Sequence, residues 1–287
     1  MLKSVLTSMR PLQWVKNAVV FAAIVFSGHL FVPADLLKSA GAFVIFCIVS
    51  GAAYLLNDVR DVESDRHHET KRLRPVASGA LSARAAYASA CVLLVVSLAA
   101  SWPLGTDFVA VVLAYIALST AYSVWLKRIV ILDVMAVAAG FMLRAIAGGA
   151  AVDVEISPWL VICTIFLSLF LAVGKRRHEL VFMMENAPPH RSVLAEYTPQ
   201  LLDQMIAIVA TSTIIVYTLY TTSPNVRTTK LYTTIPFVIY GIFRYLYLVH
   251  NRQGGGKPEQ VLFSDLPLLV NVLLWFGVAC VALYAWH

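Results

Sequence analysis

Apolar positions along the chain gather into long runs, and polar or charged residues collect in the stretches between them. The runs are about 16–22 residues long, the length an α-helix needs to cross a hydrocarbon core of roughly 30 Å. The pattern predicts nine spans. They are Trp14–Val32, Leu37–Leu56, Ala85–Leu104, Phe108–Trp125 and Ile129–Ala150, then Pro158–Val173, Leu201–Thr221, Leu231–Val249 and Leu266–Trp286. The expected fold is an all-α integral membrane bundle, with residues 1–287 as a single domain. The first run has no distinct cleavage region and is followed at once by a second, so no removable signal peptide is expected.

Composition supports this reading. With 60% hydrophobic residues, 13% charged residues and a mean hydropathy of +0.77, the chain is far more apolar than a soluble globular domain. The four cysteines (Cys47, Cys91, Cys163 and Cys280) all fall inside spans without metal-ligand spacing, and read as small packing residues.

Charge then sets the orientation. If the N-terminus is cytoplasmic, it and the even-numbered loops carry 17 of the 22 Lys and Arg residues. Lys38, Arg227 and Lys230 lie on the other face, while Arg144 and Arg244 lie within spans. That asymmetry places the N-terminus inside. The net charge of +6 follows from topology and anion binding, and gives no reason to invoke nucleic acid.

The chemistry concentrates after the second span, in Asn57-Asp58-Val-Arg-Asp61-Val-Glu-Ser-Asp65. On a continuing helix Asn57, Asp61 and Asp65 fall at i, i+4 and i+8 and line one face, with Asp58 beside them. Carboxylates so placed repel one another unless a cation sits among them. Oxygen-only ligands suit Mg²⁺, which keeps several waters and is completed by substrate phosphates. Lys71, Arg72 and Arg74 follow within one loop, as phosphate-binding groups would. Pro75 and Gly79 should fold them back over the acids. The stretch therefore reads as a metal-diphosphate site. A solvated mixed-charge loop is the plainer alternative. His67-His68-Glu69 lacks the spacing of a zinc site.

Other candidates lie at span ends. Arg10-Pro11-Leu-Gln13-Trp14-Val-Lys16-Asn17 is an amphipathic lead-in, with Lys16 either snorkelling or at the mouth of the site. Tyr122 lies about a turn and a half before Lys127, so both could face one cavity. Asp133, near the cytoplasmic boundary of the fifth span, is a site candidate, and the deeper Arg144 reads as a structural anchor. The sixth span ends in Gly174-Lys175-Arg176-Arg177-His178-Glu179-Leu180. There Lys175 and Arg176 each stand at helical pairing distance from Glu179. The loop from Val181 to Thr198 should lie on the membrane surface, broken at Pro188-Pro189, with Thr198-Pro199 starting the seventh span. Gly254-Gly255-Gly256 could approach a phosphate or form a linker.

Asn57-Asp58-x-x-Asp61-x-x-x-Asp65, Lys71 to Pro75, and Tyr122-Ser-x-x-Leu-Lys127 together resemble the UbiA superfamily of membrane prenyltransferases. The resemblance covers nearly the whole chain. It implies a nine-helix bundle with a Mg²⁺-diphosphate site beneath a cytoplasmic loop cap. One departure stands out: the second Asp-x-x-x-Asp motif of ordinary members is replaced by Gly174-Lys-Arg-Arg-His-Glu-Leu180. That segment, Leu143-Arg-Ala-Ile-Ala-Gly-Gly149, Glu196-Tyr-Thr198 and Lys257-Pro-Glu259…Asp265 resemble one branch of the family. In that branch the donor is phosphoribosyl diphosphate (PRPP) and the acceptor a polyprenyl phosphate.

On this resemblance, Asn57, Asp58, Asp61 and Asp65 hold Mg²⁺, and Lys71, Arg72 and Arg74 stabilise the leaving diphosphate. Lys175, Arg176 and Arg177, with Glu179, serve a further phosphate. Tyr122 and Lys127 position the acceptor, with Lys16 and Asp133 as additional contacts. The expected reaction groups are Asp58, Asp61, Asp65, Lys71, Tyr122 and Lys127. Two other readings stay open: a prenyltransferase acting on an aromatic acceptor, and a transporter of anionic lipids or phosphosugars. A transporter would be expected to carry polar groups at mid-membrane in both halves. The pattern is compatible with a homo-oligomer.

Overall fold

The computed structural model describes residues 1–67, 70–186, 192–223, 228, 230–251 and 258–285. Among them there are helices and turns and no strand. Among the described residues, eight helices are long and apolar enough to cross a membrane, where the sequence pattern predicts nine. The difference lies in the first span. Instead of one long α-helix, residues Pro11–Phe21 form a 3₁₀ helix that passes into a short α-helix, Ala22–Phe26. At roughly 2.0 Å per residue in the tighter coil and 1.5 Å in the α part, this segment still rises about 30 Å.

The α-helices are α1 (Leu2–Ser8), α2 (Ala22–Phe26), α3 (Pro33–Arg60), α4 (Val62–Arg66), α5 (Ala83–Ser101) and α6 (Thr106–Val124). They continue with α7 (Leu132–Val152), α8 (Pro158–Asn186), α9 (Pro199–Thr222), α10 (Ile235–Asn251), α11 (Pro258–Ser264) and α12 (Leu266–Tyr284). Most sit within a few residues of the predicted spans. The large exception is α8, which runs on to Asn186 instead of stopping near Val173. Lys175 to Glu179 therefore sit on a continuing helix, carried past the apolar part by the pairing of Arg176 and Lys175 with Glu179. The Val181–Thr198 stretch is accordingly helical in its first part, with a 3₁₀ turn at Ser192–Glu196. Pro188-Pro189 and Gly254-Gly255-Gly256 lie outside the described residues.

The chain forms two compact units. The first comprises Met1–Ile24, Val32–Val124 and Leu143–Glu155. Phe46, Phe108, Val112 and Tyr115 make one of its cores with Val20 and Ala147. Met9, Leu55, Val76, Leu81 and Ala86 make another under the loop after α4. Glycine matters most where the backbone of another segment comes close: a Cβ on Gly148 of α7 would lie 2.0 Å from the Val20 carbonyl oxygen, so only glycine allows this approach. Arg144, one turn earlier on α7, is buried. Its Nε donates to Asn17 Oδ1 at 2.7 Å and its Nη2 to the Tyr115 hydroxyl at 2.7 Å. It is tied into the interior by its planar fork, as the anchor reading expects.

The second unit comprises Val25–Phe31, Trp125–Met142 and Ile156–His287. α8 packs along α9, and α10 along α12. Phe170, Val173, Leu202, Ile206, Tyr245 and Leu248 are among the buried core residues. Local signals behave as expected here. Thr198 accepts from the Leu201 amide at 3.2 Å, with Pro199 in the first turn, which caps α9. Asp265 accepts from the Leu268 amide at 2.9 Å and also holds the Arg244 fork, at 3.0 and 2.8 Å. Asp265 thus starts α12 and pins α10 to it.

Candidate functional site

The acidic motif forms where α3 ends. The helix does not run straight through it: Asp61 departs from helical geometry (φ −92°, ψ 9°), closing α3 and opening α4. The i to i+4 spacing survives in the backbone, because Asp61 N–H donates to the Asn57 carbonyl at 2.9 Å and Asp65 N–H to the Asp61 carbonyl at 2.8 Å. The side chains nevertheless sort into two groups. Asn57 Nδ2 donates to Asp61 Oδ2 at 3.0 Å. Asp58 and Asp65, both buried, instead share the Arg74 guanidinium: Nη1 reaches Asp58 Oδ1 at 3.2 Å and Asp65 Oδ2 at 2.5 Å.

The loop after α4 explains how Arg74 gets there. After the 3₁₀ turn Lys71–Leu73, Pro75 and Gly79 (φ +83°) turn the chain back. The turn is closed by Ser78 N–H to the Arg74 carbonyl at 2.9 Å and Leu81 N–H to the Pro75 carbonyl at 2.8 Å. The expected fold-back therefore delivers Arg74 to the acids. Lys71 is half-buried and Arg72 exposed.

Sequence reasoning missed Arg10. Its Nη2 donates to Asp58 Oδ1, and its guanidinium lies over the Tyr54 ring, 4.7 Å from the centroid. The available signal was Tyr54, one turn before Asp58 on the same face of α3. Lys16 lies half-buried on the 3₁₀ helix, and Tyr122 half-buried in the last turns of α6.

A divalent cation can be tested against this geometry. Asp58 Oδ2 is buried and has no hydrogen-bond partner, because both arginines take Oδ1. A buried carboxylate oxygen left open is costly unless a cation or donor meets it. Among the described residues, no group of three His, Cys, Asp or Glu side chains is assembled as a metal cage. Mg²⁺ needs no such cage, being held through one or two carboxylates, water and substrate phosphate. These oxygen donors fit a metal of that kind.

In the second unit the basic cluster is organised around a buried carboxylate. Asp133, in the first turn of α7, is fully buried. Arg176 Nε donates to its Oδ2 at 2.6 Å, and the Tyr197 hydroxyl donates to its Oδ1 at 2.8 Å. Tyr197 in turn accepts from the Ile131 amide at 2.7 Å, at a residue held with φ +70°. Burial pushes the Tyr197 phenol up to about 12, reinforced by its bond to the Asp133 carboxylate. Arg176 Nη1 reaches Glu179 Oε2 at 2.6 Å, and Lys175 Nζ lies 3.9 Å from Glu179 Oε1. Arg177 Nε donates to Asp203 on α9. Asp203 also lies 3.2 Å from His250 Nε2. Of the three bases, Lys175 is the most exposed, with 37% of its side chain accessible. Lys127 is half-buried in the 3₁₀ turn Leu126–Arg128. Of the expected site residues, the structure thus gathers buried Asp58 and Asp65 with half-buried Arg74 into one group, and buried Asp133 and Arg176 with half-buried Glu179 into another.

Among the described residues, eight apolar spanning helices and a cluster of paired acids and arginines at a helix end define a multi-pass membrane-embedded α-helical protein. Residues 18–263 match the UbiA prenyltransferase family, and the chain belongs to that family. It is 37% identical to decaprenyl-phosphate phosphoribosyltransferase of Mycolicibacterium smegmatis, over 99% of this chain and 93% of the relative. It is 38% identical to the protein of the same name from Corynebacterium glutamicum, over 96% and 86%. Its fold is similar to that of a UbiA homolog from Archaeoglobus fulgidus bound to GPP and Mg²⁺. The TM-score is 0.76, with 17% identity and coverage of 98% and 99%.

Proposed function

We propose that this protein transfers the 5-phosphoribosyl group of PRPP to a polyprenyl phosphate and releases diphosphate, with Mg²⁺ as cofactor. The observation that carries the reading is Asp58, a buried carboxylate with one oxygen held by two arginines and the other open. The extent of similarity to the phosphoribosyltransferases selects the donor. A second acidic motif would be expected for a prenyl diphosphate donor. The corresponding helix, α8, carries Lys175 to Glu179 instead.

In the reaction, an oxygen of the lipid phosphate forms a bond to ribose C1 as the bond from C1 to the diphosphate breaks. The acceptor is already ionised near neutral pH, so no general base is required. Mg²⁺, when bound, supplies charge neutralisation for the leaving diphosphate. Asp58, Asp61 and Asp65 would hold it, directly or through water, with Asn57 orienting Asp61. Lys71, Arg72 and Arg74 stabilise the departing phosphates. Lys175 takes a further phosphate, while Arg176, Arg177 and Glu179 hold its helix in place through their own pairs. Tyr122 and Lys127 position the acceptor, with Lys16 alongside. Catalysis rests on orientation and electrostatic stabilisation of an oxocarbenium-like transition state. The protein sits in the plasma membrane with its N-terminus and charged groups on the cytoplasmic side, as the distribution of Lys and Arg directs.

The test is incubation of purified protein with labelled PRPP and polyprenyl phosphate in Mg²⁺. A labelled lipid product and stoichiometric diphosphate are expected. Robust prenylation of an aromatic acceptor, without ribosyl transfer, would overturn the donor assignment.

A further inference from the structure

Arg10 stands outside the motifs that define the family resemblance, yet it meets the most buried carboxylate of the acidic motif. Met9 closes α1, and Arg10 adopts a left-handed backbone (φ 55°, ψ 68°) before Pro11 opens the 3₁₀ helix. Left-handed geometry is unfavourable for a residue with a side chain. Such outliers persist where the surroundings enforce them, and they gather at functional sites. Here the turn aims the side chain at α3. The guanidinium lies over the Tyr54 ring, 4.7 Å from its centroid, and donates through Nη2 to Asp58 Oδ1. Its side chain remains 28% exposed while Asp58 is 2% exposed, so the arginine connects the buried acid to the accessible surface. A guanidinium has five N–H donors. Among the described residues, only the Nη2 contact to Asp58 engages them.

We infer that Arg10 is a diphosphate-binding residue that also orients Asp58, presenting Oδ2 to the divalent cation while its remaining N–H groups face the phosphate oxygens. This rests on the metal-diphosphate reading of the site. The shape suits both tasks. A planar fork can hold a carboxylate through one N–H and a phosphate through others, whereas an ammonium acts as a point charge. The Tyr54 ring supports the fork from one side and favours its positive charge. The two arginines are similarly exposed but hold different numbers of acids: Arg74 bridges Asp58 and Asp65, whereas Arg10 meets Asp58 alone.

Electrostatics gives this role an opposite-sign signature. A cation close to Asp58 weakens the binding of a second cation there, but strengthens the binding of a diphosphate that accompanies it. In Arg10→Met, which keeps an apolar stem over Tyr54, Mn²⁺ alone should bind the purified full chain about tenfold more tightly, read by electron paramagnetic resonance. Inorganic diphosphate added with saturating Mn²⁺ should bind about tenfold more weakly, read by calorimetry. Arg10→Lys should return Mn²⁺ binding close to the parent value and recover only part of the diphosphate affinity. A purely structural ion pair would move both affinities in the same direction or neither, and that result would overturn the inference. Asp58→Asn separates the premise from the inference. If that variant binds Mn²⁺ as the parent does, the metal reading fails and takes the Arg10 role with it. If it loses Mn²⁺ while both Arg10 variants bind like the parent, the metal reading stands and the Arg10 role falls.

Discussion

Arg176 donates from Nε to Asp133 Oδ2 at 2.6 Å, and the two side chains are 5% and 0% exposed. This pair changes how the basic cluster on α8 is understood. Three consecutive bases suggest three equivalent phosphate contacts, yet Arg176 is committed inward to Asp133 and Glu179. Arg177 is committed to Asp203. Lys175 is left as the member turned furthest toward solvent.

The three positions should therefore respond differently to substitution. Arg176→Ala leaves Asp133 buried beside Tyr197 without its cation, and should destabilise the protein by about 3–5 kcal/mol. Lys175→Ala breaks a long, partly exposed contact to Glu179, and the loss of that contact should change stability by less than about 1 kcal/mol. If Lys175 grips a phosphate, its loss should cost about 1.5–3 kcal/mol, a ten- to over a hundredfold drop in kcat/KM. Detergent unfolding and steady-state kinetics on both variants check this. Equal stability losses, or a fully active Lys175→Ala, would count against the division of roles.

The acidic motif makes a second contrast. Asp61 is half-buried and accepts a hydrogen bond from Asn57, and Asp61→Ala should abolish transfer while the protein stays folded and inserted. Asp58→Ala should also abolish transfer, but with a stability loss of about 1.5–3 kcal/mol, since Arg10 and Arg74 each lose a charged hydrogen-bond partner. Chelation should silence the parent protein without unfolding it, and added Mg²⁺ should restore the rate. Full activity in metal-free buffer would remove the metal from the mechanism.

Tyr197 offers a pH test. Its phenol lies above the ordinary tyrosine value, at about 12, because burial and the Asp133 carboxylate disfavour the phenolate. A raised value in the folded state means that its stabilising contribution is complete below the usual value near 10. The contribution fades as pH rises from there toward 12. Stability between pH 6 and 9 should accordingly owe none of its pH dependence to Tyr197. Subtracting the phenolate absorbance titration of Tyr197→Phe from that of the parent should isolate one step near pH 12. The same variant strips the Ile131 amide and one Asp133 oxygen of a partner, at about 1–3 kcal/mol. A difference step near pH 10 would show that the phenol faces water.

Much of this molecule is legible from its residue order. Spans such as α9 and α12 can be read because length and apolarity alone define a helix that crosses lipid. Thr198-Pro199 announces the start of α9 for a local reason, a side-chain cap followed by proline. The Asp58–Asp65 stretch is equally visible, since charge directly after an apolar run is conspicuous. Its internal sorting is not visible. Arg10 meets Asp58 across 48 residues and Arg176 meets Asp133 across 43, and tertiary pairings of that kind leave no local period. The 3₁₀ form of Pro11–Phe21 is hidden for a related reason: its apolar content matches an α-helix, and its winding reflects what packs against it.

Gly148 tests that last point. A Cβ there would lie 2.0 Å from the Val20 carbonyl oxygen and 2.9 Å from the Val20 carbonyl carbon, both on the 3₁₀ segment. Backbone cannot rotate away as the end of a side chain can, so Gly148→Ala must push α7 and that segment apart. Arg144 lies one helical turn earlier on α7, and its 2.7 Å bond to Asn17 crosses the same contact. The substitution should therefore loosen this buried pair and cost about 1–3 kcal/mol from overpacking alone. Gly41 of α3 is the control, because a Cβ there meets nothing within 4 Å. Gly41→Ala should be neutral or stabilising by up to about 1 kcal/mol through helix propensity. Unfolding of the two variants in detergent decides the matter. A Gly148→Ala protein as stable as Gly41→Ala would mean that the 3₁₀ segment and α7 do not touch backbone to Cα, and that Arg144 is held some other way.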